Sequence, residues 1–114
     1  MFKPDRRLQN CYAKYNRIWF DNVLPLDVQV GFNELDDMYG TLAINLWTSE
    51  DDGLEHRVLQ IHIDPNRHHG VAQRQLTLIH EMAHIKVLPK RHHGKEWKEE
   101  MQRLFLRGAL WGLI

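Results

Sequence analysis

The spacing of apolar residues changes twice along the chain, and this limits the fold more than any other feature of the sequence. From residue 5 to about residue 22 they recur at intervals of three and four. This interval predicts an amphipathic helix that starts after Pro4-Asp5 and ends before Leu24-Pro25. Its inward face would comprise Leu8, Cys11, Tyr12, Tyr15, Ile18 and Trp19.

Residues then alternate between apolar and polar in three stretches, 28–32, 41–47 and 58–63, each typical of a strand. Asp52-Gly53 between the last two predicts a hairpin loop, because this pair tolerates tight-turn backbone angles.

The helical spacing returns at residues 71–88, where Pro89 is expected to end the helix. A last helix is predicted from Lys95 to about Arg107, with an inward face of Trp97, Met101, Leu104 and Phe105. The order predicts an α+β domain with a three-stranded sheet between an N-terminal helix and two further helices.

The chain is expected to form one domain over residues 1–114. That length suits a single core, and the sequence has no internal repeat, low-complexity run or Gly/Ser linker. The apolar tail, residues 108–114, would pack either on this domain or on a partner. The sequence makes no prediction of oligomeric state.

The single cysteine, Cys11, excludes an internal disulfide and a cysteine-based zinc ribbon. The N-terminus lacks the apolar run of a secretory signal, and no apolar stretch approaches the roughly 18 residues of a membrane span. We therefore expect a cytoplasmic protein without membrane contact, with association with the nucleoid left open.

Charge is distributed unevenly although the formal net charge is zero. Residues 27–64 hold nine acidic residues and one basic residue, a net of −8, whereas residues 86–107 carry a net of +4. Two interpretations stay open: ordinary solvated faces, or a basic surface that contacts nucleic acid.

The residues with the clearest chemical pattern are His80-Glu81-Met82-Ala83-His84, an H-E-x-x-H motif within the predicted helix of residues 71–88. Residues four apart lie on one helix face, so His80 and His84 can present two imidazoles to one cation. Glu81 lies slightly around the helix, where its carboxylate can reach water at the metal without ligating the metal.

A catalytic zinc usually takes three protein ligands and a water molecule. Geometry excludes a third ligand from the same straight helix, so it should come from the segment after Pro89. His92 and His93 both lie there, and Gly94 would allow a tight entry into the last helix.

The sequence resembles the SprT-like metallopeptidases, the group that includes Spartan. The resemblance extends over roughly residues 8–106 and is carried by His80-Glu81-x-x-His84 with His93-Gly94-x-x-Trp97, and by the stretches 15–25, 40–42 and 61–65. It implies a zincin-like domain of the minigluzincin type, Zn²⁺ as cofactor, and His93 rather than His92 as the third ligand.

The resemblance also implies an endopeptidase that acts on proteins, including proteins bound or crosslinked to DNA, with Glu81 as the general base. The zinc-ribbon or DNA-binding extension that many relatives carry is absent from this sequence. DNA would therefore be contacted by the core itself, through residues 86–107, or through another protein.

Other residues receive weaker predictions. Candidates to stabilise the oxyanion are Tyr39, His62, Arg91 and Lys95, although a structural or surface role is the favoured interpretation of each. His68 and His69 are expected in a loop, and Trp97 as a core anchor beneath the site. Asp64 would cap a turn or hold a ligand imidazole.

Two alternative functions stay open. A related zincin could cleave one specific regulatory protein. A non-catalytic binding module could instead use a structural zinc site, with His92 as a fourth ligand. Glu81 favours an enzyme, because a structural site needs no carboxylate beside its ligand.

Overall fold

The computed structural model describes residues 1–68, 70–88 and 93–111, in which helices and strands form an α+β fold. In chain order the elements are β1 (Lys3–Pro4), α1 (Arg6–Trp19), β2 (Gln29–Phe32), β3 (Gly40–Thr48), β4 (Glu55–Ile63), α2 (Val71–Lys86) and α3 (Lys95–Leu106). No helix in these ranges is long and apolar enough to span a membrane.

The sheet has four strands rather than the predicted three, in the order β1-β2-β4-β3. β2 runs parallel to β4, with Val30 opposite Ile61, whereas β3 and β4 form the predicted antiparallel hairpin. The loop of that hairpin contains Gly53 at a φ of 67°. β3 is an outer strand of this sheet, so one of its edges has no neighbouring strand among the described residues.

The prediction missed β1, because a strand of two residues is too short to show alternation. It pairs antiparallel with β2, Pro4 facing Gly31. A Cβ atom on Gly31 would lie 2.2 Å from the carbonyl oxygen of Lys3, so only glycine allows this approach.

The first helix begins as predicted and ends three residues earlier. The side chain of Asp5 accepts a hydrogen bond from the backbone N–H of Leu8 at 2.9 Å and caps the helix. Asp21 and Asn22 have φ angles of 51° and 60°, which cannot continue a right-handed helix. The prediction that the helix extends to Asn22 was therefore wrong.

Helix α1 is fixed to the chain that follows it by the fully buried Asn16. Its side-chain amide donates to the carbonyl oxygen of Leu24 and accepts from the N–H of Leu24, both at 3.1 Å. The buried N–H and carbonyl oxygen of Leu24 therefore both have hydrogen-bond partners.

The core lies between the sheet and the helices, and α2 contributes Leu78, Ile79, Met82 and Ala83, none of them accessible. Two residues predicted to face inward do not. Ile18 is 37% exposed and Phe105 is 46% exposed, because neither reaches the core cluster between the sheet and the helices.

The first and last helices are joined by Arg103 of α3. Its Nη2 donates to the carbonyl oxygen of Trp19 at 2.9 Å, and its Nε donates to both carboxylate oxygens of Glu100 at 3.1 Å. The tail then packs on the domain as far as Ala109 and Leu110, each 6% exposed, while Trp111 is 76% exposed. The rest of the predicted apolar tail, residues 112–114, lies outside the described residues.

Candidate metal centre and active site

Three histidines converge where α2 meets the start of α3. His80 and His84 lie one helical turn apart on α2, and His93 directly precedes α3. One ring nitrogen from each lies within 4.8 Å of the other two, and the ring centroids are 4.8–5.1 Å apart. The structure thus brings together the three residues predicted as metal ligands. Their role as ligands stays a prediction. His92 lies outside the described residues.

The indole of Trp97 forms the floor of this cluster. Its ring centroid lies 4.8 Å from that of His80, 5.4 Å from that of His84 and 4.3 Å from that of His93. Its Nε1 donates a hydrogen bond to the backbone carbonyl oxygen of His80 at 3.3 Å. Trp97 therefore anchors α3 to α2 directly beneath the imidazoles, in agreement with its predicted place.

Glu81 is a buried carboxylate, only 4% exposed, at the edge of the cluster. Its Oε1 lies 3.2 Å from Nδ1 of His80. It lines both cavities that adjoin the histidines. A carboxylate in this place can accept a proton from a molecule beside the cluster, which is the chemistry expected of a general base.

His84 is the most deeply buried of the three ligand candidates, at 8% exposed. Burial lowers its imidazole pKa below the ordinary 6.5, and it outweighs the carboxylate of Glu81, which acts in the opposite direction. The imidazole is thus neutral near pH 7, which is the form that binds metals.

The donor set fits a divalent cation that prefers nitrogen ligands. Nδ1 of His84 is buried and has no hydrogen-bond partner among the described residues. A buried polar atom without a partner costs about 1–3 kcal/mol, and coordination or a further hydrogen bond would remove that cost. Three imidazoles at this spacing are a donor set suited to Zn²⁺.

Two cavities meet at the cluster. The larger, about 590 Å³, extends between α2, α3 and the loop before β3. The smaller, about 450 Å³, follows the first residues of β3, where Thr41 and Leu42 line it. His80, Glu81 and His93 line both, so the reactive groups lie at the junction of two open spaces.

Gly40, the first residue of β3, permits the close approach of that strand to α2. A Cβ atom here would lie 2.7 Å from Cγ2 of Thr77 and 3.6 Å from Cγ of Glu81. The first distance is shorter than van der Waals contact allows, so a larger residue would displace β3 or α2 beside the carboxylate of Glu81. In the sequence, the only sign of this close approach is a glycine directly before a predicted strand.

Of the four candidates for oxyanion stabilisation, Tyr39 lines the larger of these two cavities, and neither His62 nor Lys95 lines either of them. The imidazole of His62 lies elsewhere, stacked on Phe2 with a centroid distance of 4.5 Å. Lys95 is 84% exposed and pairs with Glu99 at 3.9 Å. Arg91 lies outside the described residues.

Asp64 caps turns. Its Oδ2 accepts from the N–H of Leu35 at 2.8 Å and its Oδ1 from the N–H of Asn66 at 2.7 Å. These two bonds hold the pKa of Asp64 below its ordinary value. Its carboxylate makes no hydrogen bond to the three clustered histidines in the described ranges, so the structure favours the predicted turn cap over the alternative role.

His68 lies in the predicted loop and joins that loop to α2. Its Nδ1 lies 2.8 Å from the carbonyl oxygen of Asp64, and its Nε2 lies 2.9 Å from Oγ1 of Thr77. The sequence showed no role for Thr77, which lines the larger cavity and receives both this contact and the approach of Gly40. His69 lies outside the described residues.

The comparisons with known proteins agree with the resemblance seen in the sequence. A model of the SprT-like family matches residues 8–108, nearly the whole chain. No curated protein and no solved structure gives a significant match.

Proposed function

The chain belongs to the SprT-like family, and on this premise we propose that it is a zinc-dependent endopeptidase with a zincin-like domain. The family is generally associated with zinc metallopeptidases. One observation carries the proposal. His80, His84 and His93 converge within 4.8 Å beside the buried carboxylate of Glu81.

In the proposed mechanism His80, His84 and His93 would hold Zn²⁺ through their ring nitrogens. Bound zinc would supply Lewis acidity, which polarises a peptide carbonyl and makes water a nucleophile near neutral pH. Glu81 accepts the proton from water at its carboxylate and then donates that proton to the leaving amine nitrogen. Burial of Glu81 and His84 limits competing solvent at the place where the proton moves.

The substrate is proposed to be an extended stretch of protein. Thr41 and Leu42 of the outer strand β3 line the smaller cavity, beside the histidines. An extended peptide can add to the open edge of a strand by main-chain hydrogen bonds, which favour no particular sequence. Such a peptide would cross the junction where Glu81 lies. Tyr39, at the mouth of the larger cavity, is the proposed oxyanion donor.

We extend the proposal to protein substrates on DNA, with a location in the cytoplasm or at the nucleoid. Lys86 and Lys98 are exposed and could contact phosphates, whereas Lys95 pairs with Glu99 at 3.9 Å. Arg103 and Arg107 are already paired, Arg103 with Glu100 and Arg107 with Asp21. The cationic surface is therefore smaller than the charge of residues 86–107 suggests, and direct DNA contact would be weak.

The experiment that tests this function compares zinc-loaded wild type with Glu81→Gln on a DNA-binding protein, with and without single-stranded DNA. Glu81→Gln is expected to keep its zinc and to lose about 10²–10⁴-fold in turnover, the usual contribution of a general base. Glu99→Gln on the exposed side of α3 is the matched control and should cleave like the wild type.

The outcomes separate the alternatives. Cleavage stimulated by DNA supports substrates on DNA, while cleavage regardless of DNA favours a peptidase for a specific regulatory protein. Equal activity of Glu81→Gln and wild type would reject the mechanism. No cleavage by fully zinc-loaded wild type would favour a binding module with a structural zinc.

A further inference from the structure

The larger of the two cavities beside the histidines has mostly apolar walls. Its volume of about 590 Å³ falls within the roughly 300–1,000 Å³ common for ligand sites. Apolar side chains from three separate parts of the chain form its walls: Leu76 of α2, Met101 of α3 and Leu110 of the tail. Met38 and Tyr39 stand at its mouth, 44% and 50% exposed.

Charged groups are nearly absent from this cavity. Of the described residues that line it, Glu81 alone carries a formal charge, and that carboxylate belongs to the reactive cluster. A charged side chain that entered the cavity would lose its hydration and would meet no charged partner apart from Glu81, whereas an apolar one would be removed from water by apolar walls.

The cavity also opens directly onto the reactive groups, because His80, Glu81 and His93 form part of its lining. A group inside it can therefore adjoin whatever is held at the histidines. For a peptide chain, such a group is the side chain of a residue next to the bond being cleaved.

We propose that this cavity is a specificity pocket that selects a large apolar side chain, such as Leu, Met or Phe, on a residue adjoining the scissile bond. The inference rests on the proposed peptidase function and adds a preference in sequence to it. Main-chain hydrogen bonds to β3 would bind peptides of any sequence, and the pocket would select among them by the side chain beside the scissile bond.

The first test uses zinc-loaded full chain and synthetic peptides that share one frame and differ at one central residue: Ala, Leu, Met, Phe, Asp or Lys. Mass spectrometry locates each cut. The kcat/KM for cleavage next to Leu, Met or Phe should exceed that for Ala at least about tenfold, as expected for several methylene groups in an apolar pocket. Cleavage with no preference, or with preference for Asp, Lys or Ala, would overturn the inference and leave the peptidase in place. No cleavage of any peptide or unfolded protein would overturn both.

A second test asks whether the preference can be redirected. Met101→Glu puts a carboxylate into the apolar wall and is expected to lower cleavage next to Leu at least about tenfold and to raise cleavage next to Lys. Gln102→Glu adds the same charge at the neighbouring exposed position of α3, outside the cavity, and should keep the wild-type profile. Misfolding would lower cleavage at every residue, so increased cleavage next to Lys cannot result from it. An unchanged profile in a Met101→Glu variant that retains zinc would contradict the pocket.

Discussion

The indole N–H of Trp97 donates to the backbone carbonyl of His80 at 3.3 Å, and so joins α3 to α2 beneath the three imidazoles. Trp97→Phe keeps an aromatic floor and loses this bond, which should cost about 1 kcal/mol of unfolding free energy. Trp97→Ala removes the floor as well, and should cost about 3 kcal/mol and weaken zinc binding. Urea unfolding of metal-free protein and chelator competition measure the two effects. Phe105→Ala, an exposed aromatic on the same helix, should change stability by no more than about 0.5 kcal/mol.

The third metal ligand can be identified by zinc affinity. We expect His93→Ala to lower zinc affinity by more than about 100-fold. Loss of a group that only hydrogen-bonds to a ligand costs about 10–100-fold, and loss of the ligand itself should cost more. His92→Ala should retain tight binding. Both variants are measured against the same chelator at one pH. The reverse order of affinities would move the third ligand to His92, and equal large losses would favour four protein ligands.

Because β3 approaches α2 closely at Gly40, we predict that a larger residue there is damaging and that a smaller residue at position 77 relieves the damage. Gly40→Ala should lower peptidase activity and stability, because the new Cβ would meet Cγ2 of Thr77 at 2.7 Å. Thr77→Ser removes that methyl group and keeps the hydroxyl that contacts His68. The double variant should therefore recover part of the loss of about 1–3 kcal/mol that overpacking causes, while the approach of the new Cβ to the carbonyl oxygen of His62 at 3.2 Å remains. Additive losses in the double variant would mean that the two residues do not conflict.

The protein is expected to lose stability in mild acid partly through His62. Burial foremost, and then the charge of the N-terminus, lower the pKa of this imidazole below 6.5. On acidification the unfolded chain therefore binds the proton first. The stabilising contribution is complete above about pH 6.5 and is lost as the pH falls from there toward the folded pKa.

Urea midpoints of metal-free wild type and His62→Gln between about pH 5 and pH 8 test this. The variant should show a smaller fall in stability toward the acid end, and NMR titration of His62 should give a pKa under 6.5. Identical pH dependence in the two proteins would contradict the assignment.

Much of the site could be predicted because it is local. His80 and His84 share a helix face by backbone geometry alone, and Glu81 follows from its place between them. The requirement for a third ligand and a chain that turns back pointed to His92 and His93 alike, and the family resemblance selected His93. By contrast, the contact between Gly40 and Thr77 joins residues far apart in sequence. Neither residue carries a pattern that indicates its partner.

The parts of the fold that escaped prediction share this cause. The parallel pairing of β2 with β4 depends on tertiary packing, since alternation identifies a strand but not its neighbour. β1 exists because Gly31 admits the backbone of Lys3, which no periodicity reveals. Ile18 continues the apolar spacing of α1, and the core simply does not reach it.

Among the described residues, the three histidines come from α2 and from the residue that directly precedes α3, and the indole of Trp97 lies beneath them. The place where β3 approaches Glu81, by contrast, depends on the whole sheet through its hairpin with β4. A damaged sheet could therefore leave metal content intact while abolishing turnover. Zinc occupancy would then report only whether the helices that carry the histidines are folded. If the proposed peptidase function holds, preparations with equal zinc content could differ widely in the fraction of molecules that cleave substrate. Active-site titration, rather than metal analysis, would be the sound basis for comparing variants.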